Sequence, residues 1–126
     1  MRNELAEKRT ILIIDSKPDM ADLLERILTS EGYSVKSASD STSGTSLLRE
    51  TNPDLVLLDI AMPDRDGFMF LDAIRQHSDV PVIVVTTIRD TKSLKEALEL
   101  GADDYIKKPF HPRELVARVN AKPRRA

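Results

Sequence analysis

Three runs of consecutive apolar, β-forming residues dominate this chain: Ile11-Leu12-Ile13-Ile14, Leu55-Val56-Leu57-Leu58 and Val82-Ile83-Val84-Val85. An unbroken apolar run suits a strand buried on both faces, and such strands belong to parallel sheets covered by helices. The intervening segments have helical periodicity. After Lys17-Pro18 the residues Met20, Leu23, Leu24, Ile27 and Leu28 recur at helical spacing, and the helix is expected to stop near Gly32, where a positive φ carries no steric penalty. Ser34-Val35-Lys36-Ser37 reads as a weak strand nearer the sheet edge. Residues 41–50 are rich in Ser and Thr and poor in helix propensity, yet Leu47 and Leu48 give them a small apolar face. Asn52-Pro53 ends that segment, and residues 54–58 read as the most central strand.

The second half repeats the rhythm. A turn cluster at Met62 to Gly67 precedes a helix carrying Phe68, Phe70, Leu71 and Ile74. The strand at 82–85 is entered through Pro81. Thr91 to Leu100, with Leu94, Ala97 and Leu98, reads as a helix closed by Gly101. Asp104 to Lys107 reads as the last strand, and Leu115, Val116 and Val119 share a face of a final helix beginning near Pro112. Five strands alternating with five helices predict an α/β fold, a doubly wound five-stranded parallel sheet with right-handed crossovers. The 126 residues suffice for one core. We expect a flexible extension at 1–9, one domain at 10–121, and a tail or linker at 122–126.

This topology gives three distant charges a common location. Asp15 and Asp59 each directly follow an apolar run, and Lys108 follows Tyr105-Ile106-Lys107. Ligands of parallel α/β sheets bind beyond the carboxyl ends of the strands, so the three are expected to share one pocket. A carboxylate flanked by a second carboxylate and an ammonium is suited to accept a phosphoryl group.

Composition narrows the alternatives. A formal net charge of −2 argues against nucleic acid as the ligand of this segment, although Lys122, Arg124 and Arg125 make a basic end. The absence of cysteine removes disulfides and thiol catalysis. No run approaches the roughly 20 apolar residues of a membrane span, and the charged start is not followed by a signal-type segment, so the default location is the cytoplasm. His77 and His111 lack companion ligands at metal-site spacing. There is no Gly-x-Ser-x-Gly elbow, and the four glycines form no phosphate-cradling cluster.

The local text then carries a resemblance. Ile11 to Asp15, Leu57-Leu58-Asp59-Ile60-Ala61-Met62-Pro63 with Asp66-Gly67, Pro81 to Thr86, and Gly101-Ala102-Asp103-Asp104-Tyr105-Ile106-Lys107-Lys108-Pro109-Phe110 together resemble the receiver domains of bacterial two-component response regulators. The resemblance covers residues 10–121 and is nearest in look to receivers that precede a winged-helix DNA-binding domain. It implies a flavodoxin-like sheet of order 2-1-3-4-5 and a signalling switch that receives phosphate from a sensor histidine kinase on Asp59. Lys108 matches the lysine that pairs with the acceptor and then with a phosphoryl oxygen, and the family commonly has a cis bond at the position of Pro109. Thr86 matches the switch hydroxyl and Tyr105 the aromatic that turns inward. Such a domain is no conventional enzyme; it phosphorylates itself from a phosphodonor. Any DNA contact is expected through a domain outside this chain, with transcription regulation as the output.

The metal site departs from the family pattern. Receivers use Mg²⁺, held by two adjacent acids after the first strand, by the acceptor and by a backbone carbonyl. Asp15 matches the first acid, but Ser16 stands where the second is expected, leaving Asp15, Asp59 and the Ala61 carbonyl. A hydroxyl is a poorer ligand for a hard dication than a carboxylate, so Mg²⁺ is expected to bind weakly or not at all. Lys17 is a candidate substitute cation, its other reading being a solvated charge at a helix start. Ser16 also leaves open a second function, a receiver-like interaction module that works without phosphorylation.

Two further expectations follow from the resemblance. The positions that flank the family's site are Ala61 and Ile88, which cannot orient water, so autodephosphorylation is expected to be slow. The face formed by residues 91–119 is expected to make a homodimer on activation, with Asp104 and Arg118 matching a cross-subunit ion pair. Leu94 replaces the usual basic partner of Glu114, removing one link and adding apolar area.

Overall fold

The computed structural model describes residues 9–63 and 66–122. Ten elements alternate as expected: β1 (Thr10–Ile14), α1 (Pro18–Ser30), β2 (Ser34–Ala38), α2 (Ser41–Thr51), β3 (Leu55–Leu58), α3 (Gly67–His77), β4 (Val82–Thr86), α4 (Thr91–Glu99), β5 (Asp104–Lys107) and α5 (Pro112–Asn120). The strands form one sheet in the order β2-β1-β3-β4-β5, every neighbouring pair parallel. β3 is the central strand and β2 lies at an edge.

Alternation along the strands divides the core between the two faces of the sheet. Leu12, Ile14, Val56, Leu58, Val82 and Val84 pack with Phe70, Leu71 and Ile74 of α3 and Ala97 of α4. Ile11, Ile13, Leu55, Leu57, Ile83 and Val85 pack with Leu24 and Leu28 of α1 and Leu115 and Val119 of α5. The apolar runs are therefore continuous because helices cover both faces.

Packing decides the element with the weakest propensity. Asp40 caps α2 by accepting a hydrogen bond from the Ser43 N–H at 2.7 Å. A Cβ on Gly44 would lie 3.1 Å from the Ile14 side chain and 3.3 Å from Phe70, so glycine lets the helix settle closely on β1. The helix ends at Asn52, in the left-handed region at φ 44°. Gly32 and Gly101, after α1 and α4, have φ 104° and 109°, conformations that L-residues adopt at a cost.

Some helical apolar residues lie differently from the periodic reading. Leu23 is 39% exposed and Leu98 45% exposed, while Phe70 rather than Phe68 is the fully buried phenylalanine of α3. The true stripes are narrower because α1 and α4 touch the sheet along only a few positions. At the flanks, the Arg9 carbonyl accepts from the Ser34 N–H at 3.0 Å and Lys122 Nζ lies 3.2 Å from Asp104. Both residues are thus tied to the folded unit. Residues 1–8, 64–65 and 123–126, which include Arg124 and Arg125, lie outside the described residues.

Candidate phosphoryl-acceptor site

The β1 and β3 register pairs Ile14 with Leu58, which brings the next residues, Asp15 and Asp59, side by side beyond the sheet. The Asp59 N–H donates to the Ile14 carbonyl at 2.9 Å, extending the ladder to the site itself. Lys108, beyond β5, reaches across to both acids. Its Nζ lies 2.8 Å from Asp15 Oδ2 and 2.9 Å from Asp59 Oδ2. All three residues are at most 5% exposed. Two carboxyl groups and a single ammonium thus meet within one buried pocket.

The remaining acceptor oxygens are also occupied. Asp59 Oδ1 accepts from the Thr86 hydroxyl at 2.7 Å and from the Ala61 N–H at 2.9 Å. Asp15 Oδ1 accepts from the Lys17 N–H at 2.9 Å. These bonds aim the carboxylates before any ligand arrives, as preorganised polar sites require. The Lys108–Pro109 peptide is cis.

Thr86 and Tyr105 belong to the same assembly. Thr86 is fully buried at the end of β4, and Tyr105, 7% exposed, donates its hydroxyl to the Ile88 carbonyl in the loop after β4. Burial raises the Tyr105 phenol above its ordinary pKa, and the Asp90 and Asp59 carboxylates add to the effect. The tyrosine therefore sits inward as a neutral donor, and the loop is held from two sides.

The other candidates occupy distinct places. Lys17 is exposed and gives the site its backbone N–H, whereas Lys108 supplies the ammonium between the acids. Ser16 is half-buried beside Asp15. Among the described residues, no group of three or more His, Cys, Asp or Glu side chains is arranged to hold a metal. The Asp15 and Asp59 carboxylates and the Ala61 carbonyl are hard oxygen donors of the kind Mg²⁺ prefers, short of one acid. His111 caps α5, its Nδ1 accepting from the Arg113 N–H at 3.0 Å.

The residues expected at an interface are paired within the chain. Arg118 Nη1 meets Asp104 Oδ1 at 2.6 Å, and its Nη2 meets Glu114 Oε2 at 3.3 Å. Burial acts to raise the Asp104 pKa, but the Tyr105 N–H and the Lys122 and Arg118 cations outweigh it and hold the carboxyl below its ordinary value. Leu94 is partly buried against the core. Sequence reasoning overlooked Lys122 as a partner of Asp104, and it overlooked Arg89, whose Nη1 donates to the Lys108 carbonyl at 2.9 Å. A bond to a main-chain carbonyl leaves no trace in residue identity, so nothing in the sequence pointed to Arg89.

Comparison with known proteins agrees with this geometry. Residues 11–120 match the family described as the response regulator receiver domain. The chain is 43% identical over 122 residues to the probable transcriptional regulator ycf27 of Guillardia theta, covering 97% of this chain and 48% of that protein. It is 41% identical over 118 residues to the DNA-binding response regulator MtrA of Mycolicibacterium smegmatis, covering 94% of this chain and 52% of the relative. The chain thus spans about half the length of the curated relatives it matches. Among solved structures, a two-component response regulator from Clostridium difficile superposes with a TM-score of 0.88 at 32% identity, covering 90% of this chain and 94% of the other. A CheY-like receiver domain protein from Methanospirillum hungatei superposes with a TM-score of 0.82 at 32% identity, covering 88% and 90%. With this fold, these strand-end charges and a family match across nearly its whole length, the chain belongs to the response regulator receiver domains.

Proposed function

We propose that this receiver domain is switched by phosphorylation of Asp59, with a sensor histidine kinase as the donor. One observation carries the assignment: Lys108 Nζ bridges Asp15 and Asp59 in a buried site where the Thr86 hydroxyl also bonds Asp59. A carboxylate oxygen of Asp59 attacks the phosphorus of a phosphohistidine, forming the O–P bond as the P–N bond breaks and its electron pair returns to the imidazole. Lys108 then exchanges a carboxylate contact for a phosphoryl oxygen, and Thr86 donates to another. Tyr105, held on the Ile88 carbonyl, keeps the loop after β4 in the arrangement that this transfer favours.

Mg²⁺ would be held by Asp15, Asp59 and the Ala61 carbonyl, with water completing its shell, and would neutralise charge on the phosphoryl oxygens. Ser16 removes one anionic ligand, so we propose weak binding. Ala61 and Ile88 lack the polar groups that place an attacking water, and the acyl phosphate should persist for minutes or longer in the purified domain. Loss within seconds would contradict that assignment.

The output reading rests on the relatives. MtrA is described as a DNA-binding response regulator, and we propose a transcriptional output exerted through sequence outside this chain, in the cytoplasm, with residues 10–121 as the switching unit. The face from α4 to α5 is proposed to form the homodimer on activation, exchanging the intrachain Asp104–Arg118 pair for its cross-subunit counterpart. No described helix is long and apolar enough to cross a membrane.

Intact mass after incubation with phosphoramidate, with and without Mg²⁺, tests the function. The parent should gain one phosphoryl group and Asp59→Ala none. A second reading, an interaction module independent of phosphorylation, is favoured by Ser16. It would gain the stronger position if neither phosphoramidate nor a cognate kinase labelled the parent at millimolar Mg²⁺.

A further inference from the structure

Among the described residues Lys108 is the one buried cation, so neutralisation of a phosphoryl group at Asp59 falls mainly on its ammonium. Ser16 increases that dependence by removing an anionic ligand for a competing dication. The orientation of Lys108 is therefore decisive, and it is fixed through its main chain. The Lys108 N–H donates to the Thr86 carbonyl at 2.8 Å, continuing the β4–β5 ladder. Its carbonyl accepts from a side chain, Arg89 Nη1 at 2.9 Å.

Both polar groups of the Lys108 backbone are thus tied to the segment Thr86–Arg89. The same segment gives its Thr86 hydroxyl to Asp59 and its Ile88 carbonyl to Tyr105. Of these ties, the Arg89 guanidinium is the side-chain contact that reaches the peptide of Lys108, and a bond from a charged donor holds geometry better than a neutral one.

We propose that Arg89 is a positioning residue for phosphoryl transfer, holding the Lys108 main chain to the loop after β4 so that its ammonium stays aimed at Asp59. The loop and the lysine then move as one unit, which links capture of the phosphoryl group to the Thr86 and Tyr105 arrangement. This rests on Asp59 being the acceptor. Arg89 is itself exposed, so its removal disturbs little packing.

The test measures Asp59 phosphorylation by phosphoramidate in the parent, Arg89→Ala and Arg89→Lys, with thermal unfolding of each. Misplacement of a reacting group by about an ångström can cost two orders of magnitude in rate, and a partial loss of restraint should cost about tenfold in Arg89→Ala. Arg89→Lys, which keeps a charged donor, should recover to within about threefold of the parent. The thermal midpoint of both variants should stay within about 2 °C of the parent value. Equal rates for Arg89→Ala and the parent would overturn the proposal. Slowing accompanied by a fall in the midpoint, or not relieved in Arg89→Lys, would reduce Arg89 to a structural role and overturn it as well. A parent that took no phosphoryl group would instead remove the reading of Asp59 on which the proposal stands.

Discussion

The charges beyond the strand ends and the charges along α5 are made of the same groups, yet they do different work. Asp15, Asp59 and Lys108 are buried, with side chains at most 4% exposed. Arg118 and Glu114 are 40% and 44% exposed, and only Asp104 between them is half-covered. In the first cluster water cannot replace a lost partner, so removing one charge strands the others. In the second, solvent and salt screen each pair, which allows partners to be exchanged at small cost. The proposed capture and release of a phosphoryl group would suit the first environment. The proposed exchange of intrachain pairs for intermolecular ones would suit the second.

The largest test of this contrast is Lys108→Met. Without Mg²⁺ it should lower the unfolding free energy by about 3–5 kcal/mol, because two neighbouring buried carboxylates lose their shared cation. Urea unfolding measures this, and added Mg²⁺ should return part of the loss. A change below about 1 kcal/mol would mean that water screens the site as it does the surface.

Ser16→Asp approaches the same cluster from the other side. A third carboxylate should tighten Mg²⁺ by about tenfold or more in a calorimetric titration, since it adds both charge and a ligand oxygen. The metal-free protein should lose about 1 kcal/mol through repulsion among like charges. Equal Mg²⁺ affinity in variant and parent would show that position 16 does not control the site.

Arg118→Glu probes the exposed network. The folded monomer should lose only about 1 kcal/mol, while the phosphorylated chain should no longer dimerise in analytical ultracentrifugation. A variant that dimerised normally would place the interface elsewhere.

The smallest expected effect is on acid stability. Asp104 has a folded-state pKa held below its ordinary value, so its ionised form favours the folded state. Its contribution is fully present above about pH 4, the unfolded aspartate range, and is lost as pH falls through the lower folded value. Asp104→Asn should therefore flatten the fall in stability below pH 4 by less than about 1 kcal/mol. An unchanged acid limb in urea unfolding would contradict the role given to Lys122 and Arg118.

Much of the molecule could be read before folding. The apolar runs in β1, β3 and β4 identified buried parallel strands because every residue in them meets a helix on one face or the other. Asp15, Asp59 and Lys108 could be grouped because parallel strands end at a common edge, whereas Thr86 joined them only through the family resemblance. α2 was the least legible helix, its stability arising from the Asp40 cap and the close seat of Gly44 on Ile14 and Phe70 rather than from propensity. The exposure of Leu23 and Leu98 was likewise hidden, since periodicity gives a stripe but not the width that a neighbouring sheet covers.

By itself, then, the order of residues determined the strand and helix alternation, the sheet class and the chemistry gathered at its edge, because these depend on local pattern and on topological rules shared by all parallel sheets. Tertiary structure alone decided that the Lys108 ammonium lies within 2.9 Å of both acids at once, that Lys122 and Arg118 share Asp104 within one chain, and that Arg89 holds the carbonyl of Lys108. Those outcomes turn on distances of a few ångströms between segments far apart in the chain. Side-chain reach, burial and competition among donors settle such distances only once the helices have packed.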